Sequence, residues 1–222
     1  MKNQMICVIY VDDTVFADPS QKDIDKEVQV LGIKQRNEEQ PLEYRDEGEV
    51  SAFLGIKIEK RYEFYLSQPG LINKVLKASG MEDCNPNTTY TTLEQLGPDV
   101  DGKKMDESWD YISIIGMLIY LANNTRPDIA YAIHACARYT HNPKQIHATA
   151  IKHILQYLKG TSEKGILLKS NQDETLDCYV DSNFAGNYNS YPDQDPGSTK
   201  SRTGYVILFK GCPILWVSKM QT

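Results

Sequence analysis

An apolar run, Met5-Ile-Cys-Val-Ile-Tyr-Val11, breaks at Asp12-Asp13 and resumes through Thr14-Val-Phe-Ala17. Two β-prone runs around a polar pair predict a hairpin with the carboxylates at its tip. A helical pattern follows at roughly Ser20 to Ile33, and an acidic stretch then leads into Ser51-Ala-Phe-Leu-Gly-Ile-Lys-Ile-Glu59. Arg61 to Leu66 supplies the return strand of a second hairpin. From Gln68 the period lengthens. Pro69 and Gly70 open a short helix through Leu71, Val75 and Leu76, ended by Gly80. Thr, Asn, Pro, Gly and Asp dominate Cys84 to Lys104, a long surface connection.

Three helices come next. Ser108 is placed to cap a nearly all-apolar helix through Tyr120, which such a composition would bury on all sides. Pro127 starts a second, with Ile129, Ile133 and Cys136 on one face. The third takes Asn142 as its N-cap and Pro143 in its first turn; His147, Ile151, Ile154, Leu155 and Leu158 form its stripe and Gly160 its stop. The pattern then returns to strands at Gly165–Lys169, Leu176–Val180, Thr203–Phe209 and Ile214–Ser218, with a Gly/Pro/Ser/Asp loop at Gly186 to Lys200. Such a sheet needs a cover for its apolar positions, which makes a sheet truncated at Thr222 the economical expectation.

With 222 residues, 41% of them hydrophobic, the chain can bury one large core or two small ones. The apolar run Ile112 to Ala122 is too short to cross a bilayer, and the N-terminus lacks a secretory cleavage pattern. Five scattered cysteines without a CxxC pair suggest neither a disulfide framework nor a zinc knuckle, so an intracellular protein with reduced thiols is expected. His134, His141, His147 and His153 lie close together, yet no Cys or carboxylate accompanies them at ligand spacing, which disfavours a metal site there. The net charge of -6 opposes phosphate binding overall, but residues 126–169 carry seven basic and two acidic side chains. That segment is either a solvated helical face or a surface for an anion.

Asp is a poor strand former and costly to bury unpaired. Asp12 and Asp13 are therefore either a solvated turn or a rigidly placed pair of hard oxygen ligands for divalent cations, with open positions for phosphate oxygens. Phosphoryl and nucleotidyl transfer need little more from a protein than that placement.

Seven motifs in order bear on this choice. Tyr10-Val11-Asp12-Asp13 is followed by Phe53-Leu54-Gly55 within AFLGIKIEK, Leu66-Ser67-Gln68, IIGMLIYLANNTRPDIAYA (114–132) and YLKGT (157–161). YVDSNFAG (179–186) and TGYVILFKGCPILWVSK (203–219) come last. The sequence resembles, over nearly its whole length, the reverse transcriptase and adjoining ribonuclease H of copia-type LTR retrotransposon Pol polyproteins.

That resemblance implies an α+β fold in three parts: the C-terminal part of a reverse transcriptase palm (1–66), a helical thumb and connecting segment (67–161), and the N-terminal part of a ribonuclease H-like α/β sheet (162–222). Its activity would be RNA-directed DNA polymerisation, a nucleotidyl transfer that uses Mg2+, with Mn2+ as a substitute. Asp12 and Asp13 would bind metal at the polymerase site, Tyr10 and Val11 would line the primer end, and Phe53, Leu54 and Gly55 would position the primer. Asp181 would be the first acidic ligand of the ribonuclease H site; the family usually has further acids where this chain has Asn183 and Asn187. Val206, Ile207, Leu208 and Trp216 read as sheet core rather than substrate contacts.

The expected partners are an RNA/DNA template-primer, deoxynucleotides and the rest of the Pol polyprotein, in cytoplasmic particles with a nuclear phase and no membrane. The family's other polymerase carboxylate and its remaining ribonuclease H acids would lie before Met1 and after Thr222, so the segment alone is expected to be inactive. The alternative is a degenerate or repurposed module that binds nucleic acid or protein without catalysis, and beyond it an inert relic that does not fold by itself.

Overall fold

The computed structural model describes residues 5–36, 45–60, 62–91, 96–106, 108–169, 171, 173–183 and 199–221. It divides into two compact units, Met1–Phe53 and Leu54–Thr222. Helices and antiparallel sheets occupy separate stretches of chain, a mixed architecture of the α+β type.

In the first unit, β1 (Ile6–Tyr10) pairs antiparallel with β2 (Asp13–Ala17), Ile6 opposite Ala17 and Tyr10 opposite Asp13. Helix α1 spans Gln21–Arg36, three residues beyond the expected end, and β3 is the short Ala52–Phe53. The hairpin leaves its apolar side chains open: Ile9 is 70% and Val11 81% exposed.

The second unit holds the core. Strands β4 (Ile56–Lys60) and β5 (Phe64–Ser67) form the second hairpin, and β6 (Ile166–Leu168) adds antiparallel to β5. Gly165 makes that last pairing possible, because a Cβ there would collide with the carbonyl oxygen of Leu66. The helices are α2 (Pro69–Ala78), α3 (Tyr111–Asn124), α4 (Ala130–Ala137) and α5 (Gln145–Gly160), with a 3-10 turn at Pro127–Ile129. Their buried stripes, among them Ile72, Val75, Leu118, Leu121, Ile133, Ile151, Leu155 and Leu158, make one apolar cluster.

Three local expectations change. Asp110, not Ser108, caps α3: its carboxylate accepts from the backbone N–H groups of Ile112 and Ser113 and from the Ser113 hydroxyl. A charged acceptor beside the positive helix end outcompetes a hydroxyl two residues earlier. Helix α3 is not buried all round either, since Ile112 and Tyr120 are exposed. The N-cap of α5 is Lys144 rather than Asn142, because Lys144 stays extended (φ -105°, ψ 171°) after Pro143 and the helix begins at Gln145.

Strands β7 (Leu176–Asn183), β8 (Arg202–Phe209) and β9 (Cys212–Met220) form an antiparallel sheet in that order. Lys210 and Gly211, both at positive φ, make the two-residue turn between β8 and β9. Trp216 ties the sheet to α3, its Nε1–H donating to the Ala122 carbonyl at 2.8 Å. Leu176, Tyr179, Val180 and Ile214 remain exposed. Of the loop expected at Gly186–Lys200, all but Thr199 and Lys200 lie outside the described residues.

All five cysteines are free thiols. Burial pushes the Cys136 thiol up to about 12, whereas Cys7 and Cys178 are exposed. A thiol-reactive dye at neutral pH should therefore label Cys7 and Cys178 in the folded protein and reach Cys136 only in denaturant. Labelling of Cys136 at the rate of Cys7 would contradict this core.

Candidate functional site

The acidic pair sits where the apolar hairpin reverses. Val11 and Asp12 form the two-residue connection, and Asp13 begins β2 opposite Tyr10. The carboxylates are therefore neighbours at one tip, exposed together with Tyr10 and Val11. Val11 adopts φ 50°. A β-branched residue enters the left-handed region only against steric opposition, and such outliers cluster at functional sites. The tip is a solvent-facing pair of acids beside one residue, Val11, in the left-handed region.

Two carboxylates provide hard oxygen donors for a divalent cation, and their exposure leaves coordination positions open to ligands from outside. Among the described residues no group of three or more His, Cys, Asp or Glu side chains is placed to hold a metal. Asp12 and Asp13 fit part of a Mg2+ site, not all of one.

Phe53 ends β3, and Leu54 and Gly55 form the turn into β4 with φ of 51° and 73°. Two consecutive positive φ values define the tight turn that suits Gly at its second position. Tyr120 of α3 donates its hydroxyl to the Leu54 carbonyl at 2.6 Å, so this turn is fixed to the helical core. Asp181 lies in β7, paired with Gly204 of β8, and is exposed. Asn183 ends the same strand, and Asn187 lies outside the described residues.

Sequence reasoning passed over a cluster inside two of its own motifs. Arg126, 2% exposed, grips Asp128 with Nε to Oδ1 at 3.0 Å and a second nitrogen to Oδ2 at 2.8 Å. The same guanidinium donates to the Thr161 carbonyl at 2.9 Å and the Thr161 hydroxyl at 2.8 Å. Tyr157 donates to Asp128 Oδ2 at 2.7 Å, with the guanidinium over its ring. Burial pushes the Asp128 carboxyl up, but hydrogen bonds from Arg126 and Tyr157 outweigh that and hold it below the ordinary carboxylate range. One step away, Thr125 donates to Gln68 Oε1 at 2.9 Å. The Arg-Pro-Asp spacing was the available signal: opposite charges two residues apart around a Pro.

His147, assigned to an apolar stripe, is fully buried and makes two polar contacts instead. Its Nδ1 accepts the Lys144 backbone N–H at 2.8 Å, which leaves Nε2 as the donor to the Gly97 carbonyl at 2.8 Å. Tyr139 stacks on the ring at 4.1 Å. The Lys144 ammonium, also buried, donates to the carbonyls of Val100 and Gly102. Together these residues fasten the 96–104 connection to the start of α5.

No helix among the described residues is long and apolar enough to cross a membrane. No family model and no solved structure matches the chain. Curated relatives do. The chain is 32% identical over 99% of its length to the retrovirus-related Pol polyprotein from transposon RE1 of Arabidopsis thaliana, covering 14% of that protein. It is 30% identical over 99% of its length to the corresponding polyprotein from transposon TNT 1-94 of Nicotiana tabacum, covering 16% of it. With the uncharacterized mitochondrial protein AtMg00810 of Arabidopsis thaliana it shares 34% identity over 80% of its own length and 70% of that protein's. The chain thus spans about a seventh of the two polyproteins, and it belongs to the family of retrovirus-related Pol polyproteins of copia-type transposons.

Proposed function

We propose that the chain is the part of a copia-type reverse transcriptase that runs from the second half of the palm, through thumb and connecting helices, into a ribonuclease H-like sheet. Its reaction is template-directed nucleotidyl transfer, and Asp12 and Asp13 are the metal-holding carboxylates. The observation that carries this reading is the exposed acidic pair at the hairpin tip, in a chain of the Pol family.

Asp12 and Asp13 would hold a divalent ion from the protein side, leaving their open face to phosphate oxygens; such an ion would supply stabilisation of the negative charge on the attacking and leaving oxygens of the transfer. Tyr10 and Val11 flank the same tip and line the primer end. The Phe53–Gly55 turn positions the primer, and its anchoring by Tyr120 gives it the rigidity that positioning requires. Asp181 contributes one ligand to the second, ribonuclease H-type site. The remaining acidic ligands of both sites come from other parts of the polyprotein.

Primer extension on an RNA template by a Pol polyprotein carrying this segment tests the proposal. Asp12→Asn and Asp13→Asn should each abolish Mg2+-dependent extension while template-primer binding persists. Extension undiminished in both variants would reject the assignment. The 222-residue chain alone should extend no primer, since two carboxylates place the ions poorly.

A further inference from the structure

The last carbonyls of a helix have no following intrahelical N–H and must find partners elsewhere. At the end of α3 the amides of Thr125 and Arg126 both turn to the Leu121 carbonyl, at 3.0 Å each. The Ala122 carbonyl instead takes the indole N–H of Trp216, from 94 residues further along the chain, at 2.8 Å. Ala122 is fully buried, so that bond is the cap of a helix end shielded from water. A strand of the terminal sheet thus closes the last turn of a core helix.

Tyr120, at the start of the same turn, reaches the other way. Its hydroxyl donates to the Leu54 carbonyl, 66 residues earlier, and its own carbonyl accepts from the Asn124 side chain at 2.7 Å. Leu54 sits at φ 51°, a region that Leu rarely adopts, so the turn it makes with Gly55 depends on bonds from outside. Trp216 stands on β9 opposite Val206 of β8. The same sheet has a second attachment, where the Arg202 guanidinium lies 4.8 Å over the Tyr131 ring; the first ends on α3 and the second on α4.

We infer that Trp216 is a positioning residue for primer use: it caps the last turn of α3, that turn holds Tyr120, and Tyr120 holds the Leu54–Gly55 turn. The role rests on the reading of that turn as the primer-positioning element. The bistable part is the last turn of α3, helical or frayed. Without the indole N–H the buried Ala122 carbonyl loses its partner, which favours the frayed state. Fraying releases the backbone that aims the Tyr120 hydroxyl at Leu54.

Trp216→Phe removes the N–H and keeps an aromatic ring in the sheet. In the 222-residue chain it should speed amide exchange, measured by NMR, about fivefold at residues 124–126, the share of one hydrogen bond. Exchange at Gly55 and Ile56 should rise with it. Tyr120→Phe should speed Gly55 and Ile56 and leave 124–126 nearly as they were, which gives the coupling its direction. Arg202→Gln, which loosens the sheet at α4 instead, should leave Gly55 and Ile56 unchanged. In the Pol polyprotein, Trp216→Phe should lower the single-turnover rate constant for extending a prebound primer by about twofold or more. Its amplitude should stay, whereas a variant that merely unfolds loses amplitude and keeps its rate constant. Trp216→Met, which also lacks a donor, carries the same test if the Phe variant loses amplitude.

Faster exchange at 124–126 with none at Gly55 and Ile56 overturns the inference, and so does an equal response to Arg202→Gln. A Trp216→Phe rate constant matching the parent's overturns it as well. A parent polyprotein that extends no primer rejects the polymerase reading itself, a separate failure that leaves the exchange pattern standing.

Discussion

Asp128→Ala should lower the stability of the second unit by about 3–5 kcal/mol, because it strands a buried cation. Arg126 lies 2% exposed, and Asp128 supplies both of its carboxylate contacts. Removing the carboxylate leaves the guanidinium with its two Thr161 hydrogen bonds and the Tyr157 ring, but with no counter-charge, in surroundings that cannot hydrate it. Tyr157 loses its acceptor in the same step. Arg126→Met should cost less, since Asp128 is 32% exposed and can turn to water. The double variant Arg126→Met/Asp128→Ala should be more stable than Asp128→Ala by itself, a coupling that a urea-denaturation cycle measures directly. If Asp128→Ala shifts stability by less than about 1 kcal/mol, the network is dispensable and the motif has another purpose. The favourable contacts also require an ionised Asp128. Its pKa is depressed in the folded state, so this contribution is complete above the ordinary carboxylate range and is lost as pH falls through and below it.

This network also marks what a linear reading could and could not supply. The strands and helices around the core were legible because side-chain periods of two and 3.6 are local properties of the chain. The acidic pair was legible for a related reason, as a polar interruption of an apolar run. The caps were harder: Asp110 and Lys144 both lie within two residues of the expected caps. What separates Lys144 from Asn142 is a set of contacts to residues 97–102, more than forty positions away. The Gln68–Thr125 bond spans 57 residues and the Arg126–Thr161 bonds 35. No period records such pairings, although LSQ, TRPD and YLKGT stood out as motifs. Their joint role is to lock β5, α3, the 3-10 turn and the end of α5 together. Nor could the strain at Val11 be foreseen, since β-branched propensity argues against a left-handed residue there.

His147 gives the second large effect, and it is one of acid. Its Nδ1 must stay unprotonated to accept the Lys144 N–H, and its Nε2–H is already committed to Gly97. Burial lowers its pKa; the Gly97 hydrogen bond and Asp99 act in the opposite sense, and the nearby Lys144 charge adds to the lowering. Protonation would break the bond at the head of α5 and set a cation at the positive end of that helix, within reach of the Lys144 charge. A folded-state pKa below the unfolded one means that the unfolded chain binds more protons in acid. The stabilisation is thus complete above the ordinary imidazole pKa of about 6.5 and declines as pH falls below it, with a slope of about 1.4 kcal/mol per pH unit for one proton. His134, lowered mainly by burial and then by Arg202 and Lys219, acts in the same direction. The two are separable: His147→Ala should cost about 2–4 kcal/mol at pH 8 through the two lost hydrogen bonds and the emptied ring site. It should also remove one proton from the acid slope, whereas His134→Ala should flatten the slope with little cost at pH 8. Urea midpoints measured between pH 5 and 8 decide it. An acid slope unchanged in His147→Ala would mean that this ring takes up its proton alike in the folded and unfolded chains, and the contact between Lys144 and Nδ1 would have to be drawn differently.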